Sequence, residues 1–189
     1  MNIIIPFKAS YMKFFLLFVF FIISFYFNKP SHGKYASIIM NEKSGEIYHS
    51  INADTRNYPA SLTKIMTIYM IFDKLKNQKI KMSSKLKVSK RASRQPPSKL
   101  GLYAGQKITV KQAILALVTK SANDVATVVA ENFEKTERRF AYKMTRKAKS
   151  IGLTRTNFRN ASGLPNKGQL STARDMAKLA IAIRKNFPE

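Results

Sequence analysis

From Ser61 to about Asn77 the sequence sets Leu62, Ile65, Met66, Ile68, Tyr69, Met70, Ile71, Phe72 and Leu75 on nearly every face of a helix. A helix that is apolar all round has no side to turn to water, so it belongs in the middle of a core. The rest of the fold must wrap it. With 189 residues, the chain is long enough for one domain of ordinary size around such a helix.

The flanking elements follow from pattern and turn chemistry. Tyr35 to Met40 and Glu46 to Ile51 are strand-like runs joined by Asn41 to Gly45, which predicts a hairpin. Lys81 to Gln106, rich in Lys, Ser and Pro, predicts a surface excursion with a little strand character. Helices are predicted at about Val110 to Thr119, Asp124 to Phe133 and Thr136 to Ser150, the last stopped by Gly152. A final helix starts near Thr172, where Asp175 three residues on has the spacing of a capping box, and turns Met176, Leu179, Ala180 and Ile183 to one side.

At the N-terminus Lys8 and Lys13 precede the apolar run Phe14 to Phe27, and Ser31-His32-Gly33 follows as a small-x-small pattern. This predicts an export signal over residues 1–33, cleaved after Gly33, and a mature domain over 34–189. Fourteen helical residues reach ~21 Å against a ~30 Å hydrocarbon core, which places a retained anchor second. Either route predicts an exported protein of the periplasm or cell envelope.

The 34 Lys+Arg against 10 Asp+Glu give a formal charge of +24, of which the first 33 residues account for three lysines and no acid, leaving +21. Such a field favours anionic partners: an anionic membrane surface or wall polymer if the protein is exported, nucleic acid if it is not. No nucleic-acid module is recognisable, so no nucleic acid is expected. With no cysteine, disulfides, thiolate nucleophiles and cysteine-held metals are excluded.

The only histidines are His32, inside the predicted signal, and His49, on the hairpin, so neither a Ser-His-Asp triad nor a histidine metal site is expected. No metal or cofactor is implied. A serine nucleophile then needs another base, and a lysine whose pKa is pulled down can serve. S-x-x-K puts the two on one helix face. Four such pairs occur: Ser10 with Lys13, Ser31 with Lys34, Ser61 with Lys64, and Ser84 with Lys87. Only Ser61 and Lys64 stand at the head of a buried-type helix, where free backbone N–H groups favour an oxyanion and burial disfavours a charged amine. The bland alternative is that Ser61 caps the helix while Lys64 snorkels.

What tips the balance is the ordered set of Tyr58-Pro59-Ala60-Ser61-Leu62-Thr63-Lys64, Ser121-Ala122-Asn123-Asp124, Asn160-Ala161-Ser162-Gly163-Leu164-Pro165 and Ser171-Thr172-Ala173-Arg174-Asp175-Met176-Ala177. Together these resemble the low-molecular-mass penicillin-binding proteins, the serine-type D-alanyl-D-alanine carboxypeptidases, over nearly all of Tyr35 to Pro188. A second S-x-N, Ser50-Ile51-Asn52, precedes Ser61 and is out of order.

The resemblance implies an α+β domain, an antiparallel sheet with covering helices. It implies that Ser61 attacks the D-Ala-D-Ala carbonyl of a peptidoglycan stem peptide, with Lys64 as base, Ser121 relaying protons and Asn123 holding the substrate amide. β-Lactams would be inhibitors. The family also carries a K-T-G strand beyond the S-T-A-R-D-M-A segment, and the sequence ends at Glu189 before one. The expectation is therefore a sheet incomplete at the C-terminus and an impaired enzyme, with a non-catalytic cationic wall-binding protein as the alternative. Lys43-Ser44-Gly45, the similar tripeptide, falls in the predicted hairpin turn.

Overall fold

A computed structural model of the chain describes residues 35–188; the predicted export signal lies outside them. Two strands, β1 (Ser37–Met40) and β2 (Ile47–Ile51), pair antiparallel with Ser37 opposite Ile51. The turn between them is built by Asn41, whose side-chain oxygen accepts the N–H groups of Lys43 and Ser44 at 2.8 and 3.0 Å. Lys43-Ser44-Gly45 is thus turn chemistry. His49 sits on β2 and hydrogen-bonds Ser37 at 3.1 Å on the exposed surface.

A 3-10 turn over Ala60–Leu62 leads into α1 (Thr63–Lys76). Then come β3 (Lys85–Lys87), the short α2 (Lys90–Ser93), β4 (Lys107–Thr109), α3 (Val110–Lys120), α4 (Asn123–Glu134), α5 (Glu137–Ser150) and α6 (Ala173–Asn186). β3 and β4 form a second antiparallel pair, so the described strands lie in two separate pairs rather than in one sheet. The class is α+β, with helices carrying most of the packing.

The core has two central helices where the sequence pattern singles out one. α1 buries Met66, Tyr69, Met70 and Ile71, although Leu62 at its entrance is half exposed. α4 packs against α1, α3 and α5 and seals Val125, Ala126, Val128, Val129 and Ala130 completely. Its alanines and valines are small enough for close approach from several sides, which a search for large apolar residues undervalues. Phe140, Met144, Phe158 and Leu179 close the core from α5, α6 and the segment between them.

Helix starts show where local pattern and tertiary need diverge. Thr109 and Gln112 form a reciprocal capping box at α3. At α6 Thr172 accepts the Asp175 N–H at 3.0 Å, as its spacing predicts. The Asp175 carboxylate, however, turns away to Arg155 N–H at 2.9 Å and the Thr156 hydroxyl at 2.6 Å. Half of the expected box is therefore a cross-link to the 155–156 segment, made through Oδ2 of an Asp175 that is only 2% exposed.

Candidate active site

Ser61 lies in the 3-10 turn that opens α1, exposed to solvent, and Lys64 follows one turn on at 3% exposure. Ser61 is not the helix cap: the cap position is Leu62, without a side-chain hydrogen bond. Nor does Lys64 snorkel. Its ammonium is turned inward and donates to the Ser162 carbonyl at 2.6 Å. Burial pushes its pKa down from 10.5 to about 8, because an ammonium loses hydration that one carbonyl replaces only in part. No carboxylate pairs with Lys64 among the described residues, so nothing offsets that loss.

The Ala161–Gly163 segment holds this turn. Thr67, one turn beyond Lys64, donates to the Ala161 carbonyl at 2.7 Å. Gly163 (φ +90°) lies so close to the Ser61 turn that a Cβ placed on it would sit 1.9 Å from the Ala60 carbonyl oxygen and 3.1 Å from the Ser61 nitrogen. Ala60 itself takes φ +46°, a left-handed conformation that a residue with a side chain adopts at a cost of about 1–2 kcal/mol. The strain is concentrated at the residue before Ser61.

Behind the segment, Gln169 is buried and accepts the Arg159 and Asn160 N–H groups at 2.9 and 3.0 Å, while Asn160 accepts from Gly163 N–H at 2.8 Å. Glu137, at the start of α5, accepts Ala161 N–H at 3.0 Å and is paired with Arg91. A cavity of about 590 Å³ opens beside the turn between Tyr58–Ala60 and Gly163–Lys167.

Ser121 and Asn123 occupy the junction of α3 and α4, both of which pack against α1. Ser121 ends α3 in the left-handed conformation (φ 52°, ψ 40°), turning the chain sharply so that Asn123 can start α4. Asn123 is 6% exposed, and its side-chain NH2 donates to the carbonyls of Pro96 and Pro97 at 3.0 and 3.1 Å. Among the described residues no hydrogen bond links the Ser61–Lys64 pair to Ser121 or Asn123.

The surface excursion is tied to this junction, and no sequence pattern announced it. Asp124, fully buried at the N-terminus of α4, accepts the N–H groups of Leu100, Gly101 and Leu102 at 3.0, 2.9 and 3.1 Å. Ser98 accepts Asn123 N–H at 2.8 Å through its carbonyl and donates to the Lys120 carbonyl at 2.7 Å through its hydroxyl. Residues 96–102 thus frame the S-A-N junction. Among the described residues no cluster of His, Asp and Glu is placed to hold a metal ion.

A family profile described as D-alanyl-D-alanine carboxypeptidase, peptidase S11, matches residues 25–189. The chain belongs to this family. D-alanyl-D-alanine carboxypeptidase DacF of Bacillus subtilis (strain 168) is 36% identical over 155 residues, 82% of this chain and 40% of that protein. D-alanyl-D-alanine carboxypeptidase DacC of Escherichia coli (strain K12) is 36% identical over 166 residues, 85% of this chain and 42% of that one. The crystal structure of the D-alanyl-D-alanine carboxypeptidase DacD from Francisella tularensis has a TM-score of 0.80 at 36% identity, covering 82% of this chain and 37% of its own. Penicillin-binding protein D2 from Listeria monocytogenes, in its ampicillin-bound form, has a TM-score of 0.73 at 27% identity, over 82% of this chain and 63% of its own. The chain spans about two fifths of the length of the curated relatives it matches.

Proposed function

We propose that the protein is an exported serine-type D-Ala-D-Ala carboxypeptidase of peptidoglycan stem peptides that works through an acyl-enzyme on Ser61. The observation that carries this reading is the buried Lys64, brought to about pKa 8 beside a solvent-exposed serine at a helix start. Lys64 in its neutral form takes the Ser61 proton as the hydroxyl adds to the D-Ala-D-Ala carbonyl, and the N–H groups at the opening of α1 face the developing oxyanion. Ser121 relays the proton held by Lys64 to the leaving D-alanine nitrogen, so that both residues return to their starting forms, and Asn123 holds the substrate amide. Water then adds to the ester and regenerates Ser61. β-Lactams acylate the same serine, and membership in a family whose relatives include a penicillin-binding protein supports that inhibitor class.

Labelling with a fluorescent penicillin and mapping the modified peptide tests the assignment. Ser61 is expected to carry the label, and a label on Ser84 or Ser121 that persists in Ser61→Ala overturns it.

A further inference from the structure

A strongly cationic groove lies outside the Ser61 turn, between α5 and residues 157–159, with a volume of about 620 Å³. Arg138, Arg139 and Lys149 of α5 line one side and Arg159 the other, all exposed, and none forms an ion pair among the described residues. Lys143 at its edge is tied to Glu134 at 2.5 Å. No carboxylate lines the groove. A neighbouring cationic hollow is lined by Asp73 and Glu134, and Arg138 and Arg159 also border a hollow lined by Glu131 and Glu137, whose carboxylates are paired with Arg91.

Arg159 is also seated rather than loose. A Cβ on Gly168 would lie 2.7 Å from its Nε, so the glycine leaves room for the guanidinium to rest against the backbone. Three of the four free cations are arginines, whose planar forks match carboxylates in pairs of hydrogen bonds. Arg138 and Lys149 are eleven residues apart on α5, about 16 Å along its axis, a length suited to an extended chain.

The groove's shape and lining select among anionic partners. A bilayer asks for a protruding apolar face, and here the one exposed aromatic is Tyr142, with Phe158 buried. Single-stranded nucleic acid asks for a series of exposed aromatic platforms, which one tyrosine does not supply. What remains is a linear polymer bearing carboxylates. The wall polymer of the proposed reaction is one, since each stem peptide ends in a carboxylate.

We propose that this groove is a second, non-catalytic site that holds a carboxylate-bearing stem of the wall polymer while a neighbouring stem occupies the Ser61 cleft. The inference rests on the peptidoglycan reading above. The two sites share one short segment: Phe158 and Arg159 line the groove, and Ser162 and Gly163 contact Lys64 and Ala60. Adjacent stems of one strand can therefore engage both, and the second contact is intramolecular.

The test is co-sedimentation of the full chain with purified peptidoglycan at physiological salt. Arg138→Gln/Arg139→Gln/Lys149→Gln is expected to weaken binding at least about tenfold, and Arg138→Lys/Arg139→Lys, which keeps the charge and loses the forks, about threefold. Gly168→Ala, which displaces Arg159, should act in the same direction. Lys85→Gln/Lys87→Gln/Lys107→Gln removes the same charge from the exposed β3–β4 pair and should change binding less than about twofold. Equal losses in the two triple variants overturn the proposal, as does unchanged sedimentation of the groove triple with loss of binding to DNA or to phosphatidylglycerol vesicles. Penicillin labelling of Ser61 is read in parallel. Its absence from the wild type counts against the catalytic reading, whereas its retention in a groove variant that no longer sediments isolates the second site.

Discussion

Two glycines in the left-handed region serve two turns of very different standing. Gly45 (φ +75°) closes the β1–β2 hairpin with nothing within 4 Å of where a Cβ would stand. Gly163 (φ +90°) presses its backbone against the Ala60–Ser61 peptide. The first glycine is there for its dihedral angle alone. The second is there for its angle and for the space it leaves to the Ser61 turn. The surroundings agree: β2 is exposed along its whole length, whereas Lys64, Thr67, Ser162 and Gln169 around Gly163 are all buried. A turn with open space around its glycine tolerates change, and a turn pressed upon from 100 residues away does not.

The largest effect should follow from Gly163→Ala. The new methyl group meets backbone that cannot rotate aside, on top of the left-handed strain, so a loss of at least about 3 kcal/mol by urea denaturation is expected. Ser61 labelling should vanish even where the protein remains folded. Asp124→Asn comes next: it replaces a buried carboxylate that accepts three loop N–H groups with an amide that cannot accept them all. About 2–3 kcal/mol is expected, with early exposure of residues 96–102 in hydrogen exchange.

Lys64 sharpens the comparison through pH. Its folded-state pKa is lowered to about 8 from 10.5 by burial. Below about pH 8 both folded and unfolded chains hold the proton and the burial penalty is complete. Between 8 and 10.5 the unfolded chain retains a proton that the folded chain has released, so stability rises with pH, and above 10.5 the penalty is gone. Relative to Lys64→Met, the wild type should gain about 2 kcal/mol across that window. A difference that stays flat from pH 8 to 10.5 would place the ammonium in water. The smallest effect is Gly45→Ala, about 1 kcal/mol from the dihedral angle alone, with Ser61 labelling unchanged. If Gly45→Ala and Gly163→Ala cost the same, the close approach at Ala60 carries no weight.

Local features were legible in the sequence wherever the signal is itself local. The helix heads at Ser61 and Thr172, the hairpin turn at Asn41 to Gly45, and the α3–α4 junction carrying Ser121 and Asn123 all stand where spacing and turn residues place them. What the pattern did not disclose are partnerships across the chain. Asp124 reads as an ordinary first-turn acid, and Asp175 as half of a capping box, because a carboxylate's spacing fixes which N–H groups it can reach locally and says nothing of distant ones. Residues 81–106 look like a polar excursion because their hydrogen bonds to Asn123 and Asp124 come from backbone groups, which every sequence carries alike. Ser162 enters through its carbonyl, so its side chain gave no clue that it faces Lys64.

The bond between Lys64 and Ser162 spans 98 positions of sequence. A ribosome adding 5–20 residues per second needs roughly 5–20 s to travel from one to the other. Throughout that interval the amine stands in water at its ordinary basicity, and the serine beside it is as inert as any other hydroxyl. The lowered basicity is therefore absent when the motif is made. It comes with the burial that closes around Lys64, where a carbonyl made nearly a hundred residues later replaces only part of the lost hydration.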